Sequence, residues 1–350
     1  MVATHTTPRS LHSSRLLTRG LRQAALGLAA LAAMLALYGT HVGVASAVTP
    51  IALGVNTDEI TTHTGPSLDE FATLSGVQPK IAMWYQDWEE QWSTPGLLGA
   101  HVIPAVRERG MTPMVTWDPI QNKDPEAYTL TKIAAGRYDT YILRAAREIA
   151  AYKLPVFIRL APEMNGSWDS WGAGVNGNTP QSYIAMWRHV VSIFRLAGAT
   201  NAKWVWSPNV HGASSQAFQP YYPGDSWVNV VALDGYNMGA GLGYWQSFTK
   251  LFGKSYEELA GLTNLPMMIA ETSSAEKGGS KAEWIESIPQ SISTTMPRIR
   301  ALTWFDRLTT ENDWRMNSST SAQAAFRSVV ATGFFSGSLA PLLQGSPEAG

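Results

Sequence analysis

The run Val156-Phe157-Ile158-Arg159-Leu160, followed at once by Ala161-Pro162-Glu163-Met164-Asn165-Gly166-Ser167-Trp168, decides the fold. It is a short apolar, β-rich segment that ends in unusual polar sequence. On its N-terminal side, Tyr138–Tyr152 carries apolar residues at helical spacing, and Pro180–Ala197 does the same on the other side, before a second β-rich run at Trp204–Trp206. Helical patterns alternating with strands indicate βαβ units and a parallel sheet. Working outward, Ile51–Val55, Ile81–Tyr85 and Pro113–Trp117 come before, and Val228–Leu233, Met267–Ala270 and Ala301–Phe305 after. These eight runs end at intervals of about 36 residues. Eight strand–helix units at that spacing predict a single-domain (β/α)8 TIM barrel over residues 48–335 rather than a doubly wound sheet.

The ends of the chain read differently. Residues 1–22 carry Arg9, Arg15, Arg19 and Arg22 with no acid, an Ala/Leu-rich run covers Ala24–Leu37, and Ala45-Ser46-Ala47 is a small-x-small cleavage site. The apolar run is short for a membrane span of about 20 residues, so residues 1–47 read as a cleaved signal peptide of a secreted, extracellular protein. Residues 336–350, rich in Gly, Ser and Pro, read as a flexible C-terminal tail. Removing residues 1–47, with four arginines and no acids, leaves 22 basic against 27 acidic residues, a net charge of −5. That balance gives no reason to expect nucleic acid or an anionic membrane as partner. The absence of cysteine excludes disulfides and thiolate chemistry. The chain reads as a monomer with no cofactor. Fourteen tryptophans suit either core packing or stacking on sugar rings.

In such a barrel, reacting groups sit where strands end. Strand 4 runs into Glu163, strand 7 into Glu271-Thr272-Ser273-Ser274, and strand 6 into Asp234-Gly235-Tyr236-Asn237. A lone strand-end glutamate reads equally as a helix cap or half of a salt bridge. Two of them, three strands apart, face each other across the barrel mouth. Such a pair suits glycoside cleavage, which needs one proton donor and one anion. Environment then divides the roles: a poorly solvated carboxyl keeps its proton, and a well hydrogen-bonded one stays charged. Tyr236 is a candidate donor to Glu271, or a tyrosine packed at the rim.

At these residues the sequence resembles glycoside hydrolase family 26, best known for β-mannanases. The matching motifs are Arg159–Trp168, Trp204–Asn209, Tyr221–Asp225, Asp234–Asn237, Ala270-Glu271 and Asn312–Arg315, in that order. The resemblance implies a retaining endo-glycanase acting on β-1,4-mannan, with Glu163 as acid/base and Glu271 as nucleophile. It also implies sugar contacts from Tyr236, Trp304, Trp168 and Asn209, and Asp234 is taken with them. One position departs from the family: Pro162 stands where a histidine usually precedes the acid/base glutamate. Proline offers neither imidazole nor backbone N–H. This opens the substrate to β-glucan or β-1,3-xylan, and leaves a non-catalytic glycan-binding barrel as an alternative.

Trp84, Trp88, Trp92 and Trp117, beside Asp87 and Asp118, read either as sugar subsites or as core, with Trp88 taken as a subsite candidate. Trp187, Trp204 and Trp284 read as core. Gly172–Gly177 matches G-x-G-x-x-G by letter, but it follows a Trp-rich loop and lacks an acidic ribose partner, so nucleotide binding is set aside. No histidine pair has metal-ligand spacing, and no metal is expected.

Overall fold

The computed structural model describes residues 48–58, 66–88, 102–120, 124, 126–212 and 214–344. The expected signal peptide at 1–47, Trp92, and residues 345–350 of the expected tail lie outside them. Eight parallel strands close a barrel in sequence order: β1 Ala52–Thr57, β2 Ile81–Asp87, β3 Thr112–Asp118, β4 Val156–Leu160, β5 Ala202–Trp206, β6 Val230–Asn237, β7 Met267–Ser274 and β8 Ile299–Asp306. The (β/α)8 reading is therefore the observed fold. Helices at Asp139–Tyr152, Pro180–Leu196, Phe248–Leu262, Lys281–Thr295 and Thr320–Ala331 belong to the outer layer. The last four of them start at a Ser or Thr whose side chain caps the first turn. Thr179, for example, closes a capping box with Ser182 at the first turn of the helix that begins at Pro180.

The alternating side chains of each strand divide the core in two. Ile81, Met83, Met114, Phe157, Val205, Ala232, Met268 and Ala301 fill the barrel interior. The opposite face of each strand, including Trp84, Trp117, Ile158, Trp206, Ile269 and Trp304, packs outward under the helices. This two-sided burial explains the nearly continuous apolar runs in the sequence.

Several strands continue past those runs. β2, β3, β6, β7 and β8 run on through Asp87, Asp118, Asn237, Ser274 and Asp306. The polar groups of the site thus stand on strand backbone more than on loops, where their spacing is fixed by the sheet. At the opposite end, the start of the expected tail is held in place. The Gly337 N–H donates to the Ile51 carbonyl at 3.0 Å, and Leu342 of the short helix Ala340–Leu343 is buried with the barrel-interior residues. Residues 336–344 thus close the barrel floor instead of fraying. The Gly/Ser/Pro content of this segment hid the apolar triplet Leu339, Leu342 and Leu343 that packs there.

Candidate active site

β4 carries the first half of the site. Phe157 and Arg159 share the inward face. The chain then turns through Ala161 at φ 41°, Pro162, and Glu163 at φ 53°. Two non-glycine residues in the left-handed region store about 1–3 kcal/mol each, a strain that persists only where surroundings enforce it. Here each backbone group is tied. Ala161 N–H donates to the Trp117 carbonyl (3.1 Å), Tyr183 Oη to the Ala161 carbonyl (3.1 Å), Trp171 Nε1 to the Pro162 carbonyl (2.7 Å) and Glu163 N–H to the Ser207 carbonyl (2.7 Å). Proline suits the middle of this turn because its nitrogen needs no acceptor.

The turn aims the Glu163 carboxyl at two donors. Asn209 Nδ2 reaches Oε1 at 2.6 Å and Trp168 Nε1 reaches Oε2 at 2.9 Å. The Trp168 ring folds back over Gly166, where a Cβ would sit 2.2 Å from the indole, so glycine is required there. Burial of the carboxyl raises its pKa to about 8, helped by the charges of Asp234 and Glu271 and opposed by Arg159 and the Asn209 hydrogen bond. Glu163 therefore keeps a proton at neutral pH.

β7 carries the second half, by way of a bulge. Leu233 pairs with Ile269 and Asp234 pairs with Glu271, so Ala270 is an extra residue, and the pairing with β8 slips between Ile269 and Thr272 as well. Ala270 faces the barrel interior. On a regular strand its neighbour Glu271 would point out under the helices. The bulge turns Glu271 into the mouth, a common use of bulges beside reacting sites. There Arg159 Nη1 lies 2.9 Å from Glu271 Oε2, and the Tyr236 hydroxyl donates to Oε1. Burial and the charge of Glu271 hold the Tyr236 phenol well above its usual pKa, so it remains a donor. Tyr85, on the inward face of β2, also hydrogen-bonds Glu271. Arg159 is itself fixed by Thr116 Oγ1 (3.0 Å) and Asp234 Oδ2 (2.7 Å), and Asp234 accepts in addition from Ser207 Oγ at 2.5 Å.

The structure brings Glu163, Glu271, Tyr236, Trp168 and Asn209 to one cleft, and moves three expected contacts out of it. Trp304 is fully buried on the outward face of β8, against Trp284 and Phe326. The inward neighbour is Phe305, edge-on to Tyr236 at 5.5 Å, with Trp314 at 5.0 Å from the same ring. Side chains alternate along a strand, so Trp304 faces away from the cleft that Phe305 faces. Trp88 is buried among Trp117, Tyr128, Tyr138 and Tyr141, as core and not as a subsite. Asp234, with no exposed surface, serves Arg159 and cannot reach a sugar.

The sequence reading also passed over Tyr85, Arg159 and Phe305. Strict alternation from Ile81, Phe157 and Ala301 would have placed all three on the inward face. Beyond Arg159 lies a further carboxyl pair, Asp118 and Asp169. Burial raises the pKa of both, well above the usual range for Asp118 and to about 6 for Asp169. Among the described residues, no group of three or more histidines and acids is arranged to hold a metal ion.

A (β/α)8 barrel with one proton-holding glutamic acid and one ion-paired glutamate at its mouth has the layout of a two-carboxylate glycosidase. The family model for glycosyl hydrolase family 26 matches residues 69–331, and the chain belongs to that family. Endoglucanase H of Acetivibrio thermocellus is 36% identical over 275 residues, covering 76% of this chain and 29% of that protein. A mannan endo-1,4-β-mannosidase of Bacillus subtilis is 28% identical over 180 residues, covering 46% of this chain and 45% of that one. The chain thus spans less than half the length of either. Among solved structures, the catalytic domain of a Bacillus sp. JAMB-750 endo-β-1,4-mannanase superposes with a TM-score of 0.64 at 18% identity, covering 85% of this chain and 90% of that one. At that identity the likeness speaks for the fold.

Proposed function

We propose that this chain is a secreted, retaining endo-glycoside hydrolase that cuts a β-1,4-linked polysaccharide by double displacement. The observation that carries the reading is the asymmetry of the two glutamates: Glu163 holds a proton at neutral pH, while Glu271 is ion-paired with Arg159. In the first step Glu163 gives its proton to the glycosidic oxygen as a Glu271 oxygen bonds to the anomeric carbon, and the leaving chain departs as an alcohol. In the second, water attacks that carbon, passes a proton to Glu163 and releases Glu271 as carboxylate. Arg159 and Tyr236 orient Glu271 and stabilise its charge before the first step and after the second.

β-1,4-Mannan is the first substrate reading, supported by the mannan endo-1,4-β-mannosidases among the relatives. β-Glucan is the second, favoured by the match to Endoglucanase H along almost the whole barrel and by Pro162 in place of histidine. The structure removes one objection to either. Glu271 draws its partners from Arg159, Tyr236 and Tyr85, so no imidazole at position 162 is needed to hold it. Export rests on the basic, apolar and small-residue pattern of residues 1–47. An N-terminus at Val48 on the protein recovered from culture medium is the matching observation.

Reducing-sugar release from galactomannan, glucomannan, barley β-glucan and β-1,3-xylan tests the reading. The expected result is release from a β-1,4-linked substrate, abolished by Glu271→Ala. The Glu163→Ala protein is expected to turn over activated aryl glycosides slowly and to be accelerated by azide. Retention in affinity gels without any release would make the chain a glycan binder. Near-normal turnover by Glu271→Ala would remove the nucleophile assignment.

A further inference from the structure

A groove of about 520 Å³ opens beside Glu163, and its lining includes Trp168, Asn209, Tyr236 and Tyr244. Glu163 lines this groove and Glu271 does not. On the reading proposed above, the acid protonates the oxygen that leaves with the departing chain, and the nucleophile attacks the sugar that stays. The groove on the acid's side is therefore the path of the departing chain.

Its walls are unusually apolar for exposed surface. Seven large apolar side chains are exposed among the described residues, and four of them, Trp168, Met238, Leu242 and Tyr244, line this one groove. Such clustering marks a binding surface, whereas scattered exposed residues do not. Trp168 is already engaged with Glu163 through its indole N–H and so belongs next to the cut bond. Tyr244 makes no contact with either glutamate and lies in the segment after β6.

That segment is held on both sides of Tyr244. The Ala240 N–H donates to the Lys277 carbonyl at 3.0 Å, and the Gln246 N–H donates to Asn237 Oδ1 at 2.9 Å. Trp245 packs so closely on Gly279 that a Cβ there would sit 2.4 Å from the indole. Tyr244 itself is 60% exposed, with the Lys250 ammonium 5.5 Å from its ring centroid. An exposed aromatic ring on an anchored backbone binds the apolar face of a pyranose with little loss of entropy.

We propose that Tyr244 forms a distal subsite for the leaving side of the polysaccharide, stacking on a pyranose at least one unit beyond the sugar that receives the proton from Glu163. This makes the cleft suited to internal cleavage. It also gives an acceptor sugar a place to bind while the glycosyl–Glu271 ester persists.

The test compares two substrates on the unsubstituted protein and on Tyr244→Ala. One is a pentasaccharide of the backbone that the polysaccharide panel identifies. The other is an aryl glycoside of the same sugar, whose leaving group ends next to the cut bond. The expected result is that kcat/KM on the pentasaccharide falls about tenfold more than on the aryl glycoside, a difference of about 1.4 kcal/mol. Tyr244→Trp is expected to restore the ratio, and Tyr244→Ala to shift the pentasaccharide cleavage pattern. An equal loss on both substrates, or no change on either, overturns the subsite. Absence of hydrolysis of both by the unsubstituted protein overturns instead the glycosidase reading on which the subsite rests.

Discussion

At the scale of single residues, the division of labour between two identical side chains comes from their neighbours. Glu163 is enclosed near two other carboxylates, while Glu271 has a guanidinium at 2.9 Å. The pH dependence follows with a definite sign. On the proposed mechanism Glu163 acts in its protonated form, and its pKa is about 8. The rate of the first step is therefore expected to be flat below about pH 8 on this group's account and to fall about tenfold per unit above it. A pH profile of kcat/KM on the polysaccharide checks this, and an alkaline limb centred near pH 5 would contradict it. The outward burial of Trp304 can also be tested. Trp304→Ala is expected to destabilise by about 3–5 kcal/mol in thermal or urea unfolding, as for other buried aromatics, with KM of the folded protein little changed. Phe305→Ala is expected to raise KM several-fold at smaller cost to stability. Both glutamates, Asn209, Trp168 and Tyr236 were legible as strand-end or motif residues. The face of β8 was not, because a motif fixes which residues are present and leaves the direction of each side chain to strand register.

At the scale of elements, the site depends on departures from regular structure. The bulge at Ala270 and the left-handed turn at Ala161–Glu163 each re-aim one glutamate, and neither has a simple signature in the sequence. Strand count and order were readable because burial on both faces writes a continuous apolar run, but the runs stop before the strands do. A third departure is the segment between β8 and the helix that starts at Thr320. It carries Trp314 over Tyr236 and is fastened from beneath by Lys281. The fully buried Lys281 ammonium donates to the carbonyls of Asp313 (3.3 Å) and Arg315 (2.7 Å) and to Ser318 Oγ (2.8 Å). Those carbonyls flank Trp314, whose own carbonyl accepts from Ser273 Oγ on β7 at 2.5 Å. Lys281→Met keeps the aliphatic stem and removes the three hydrogen bonds. It is expected to destabilise by about 1–3 kcal/mol, the usual cost of leaving buried polar groups unsatisfied. Because Trp314 then loses its anchor beside Tyr236, KM is expected to rise more than kcat falls. Urea unfolding and steady-state kinetics on the same sample check both, and an unchanged KM would limit Lys281 to stability.

At the scale of the molecule, the two ends of the barrel do different work. The mouth concentrates ionisable groups: Arg159, Asp234, Glu271, Asp118 and Asp169 interact there. Such a cluster is costly to desolvate and must be offset by apolar packing elsewhere. The interior below it is mostly apolar, with the buried Thr303 hydroxyl as an exception, and its last plug comes from outside the eight strand–helix units. Leu342 enters with the barrel-interior residues, while Leu339 and Leu343 pack against them. The Ser336 backbone bridges to Ala52, and Gly337 fits where a Cβ would sit 2.4 Å from the Ile51 backbone. Removing residues 336–350 would open the floor of the barrel to water at the first residues of β1. Burying one leucine fully is worth about 1.5–3 kcal/mol. With the two partly buried leucines also lost, the truncated protein is expected to melt at least about 5 °C lower. The floor and the mouth are at opposite ends of the strands, and none of the described tail residues lines the groove beside Glu163. The KM of the truncated protein below its melting range is therefore expected to match that of the full chain. A truncation that melts normally would show the floor to be closed without the tail. One that melts normally but raises KM would show that the two ends are coupled through the strands.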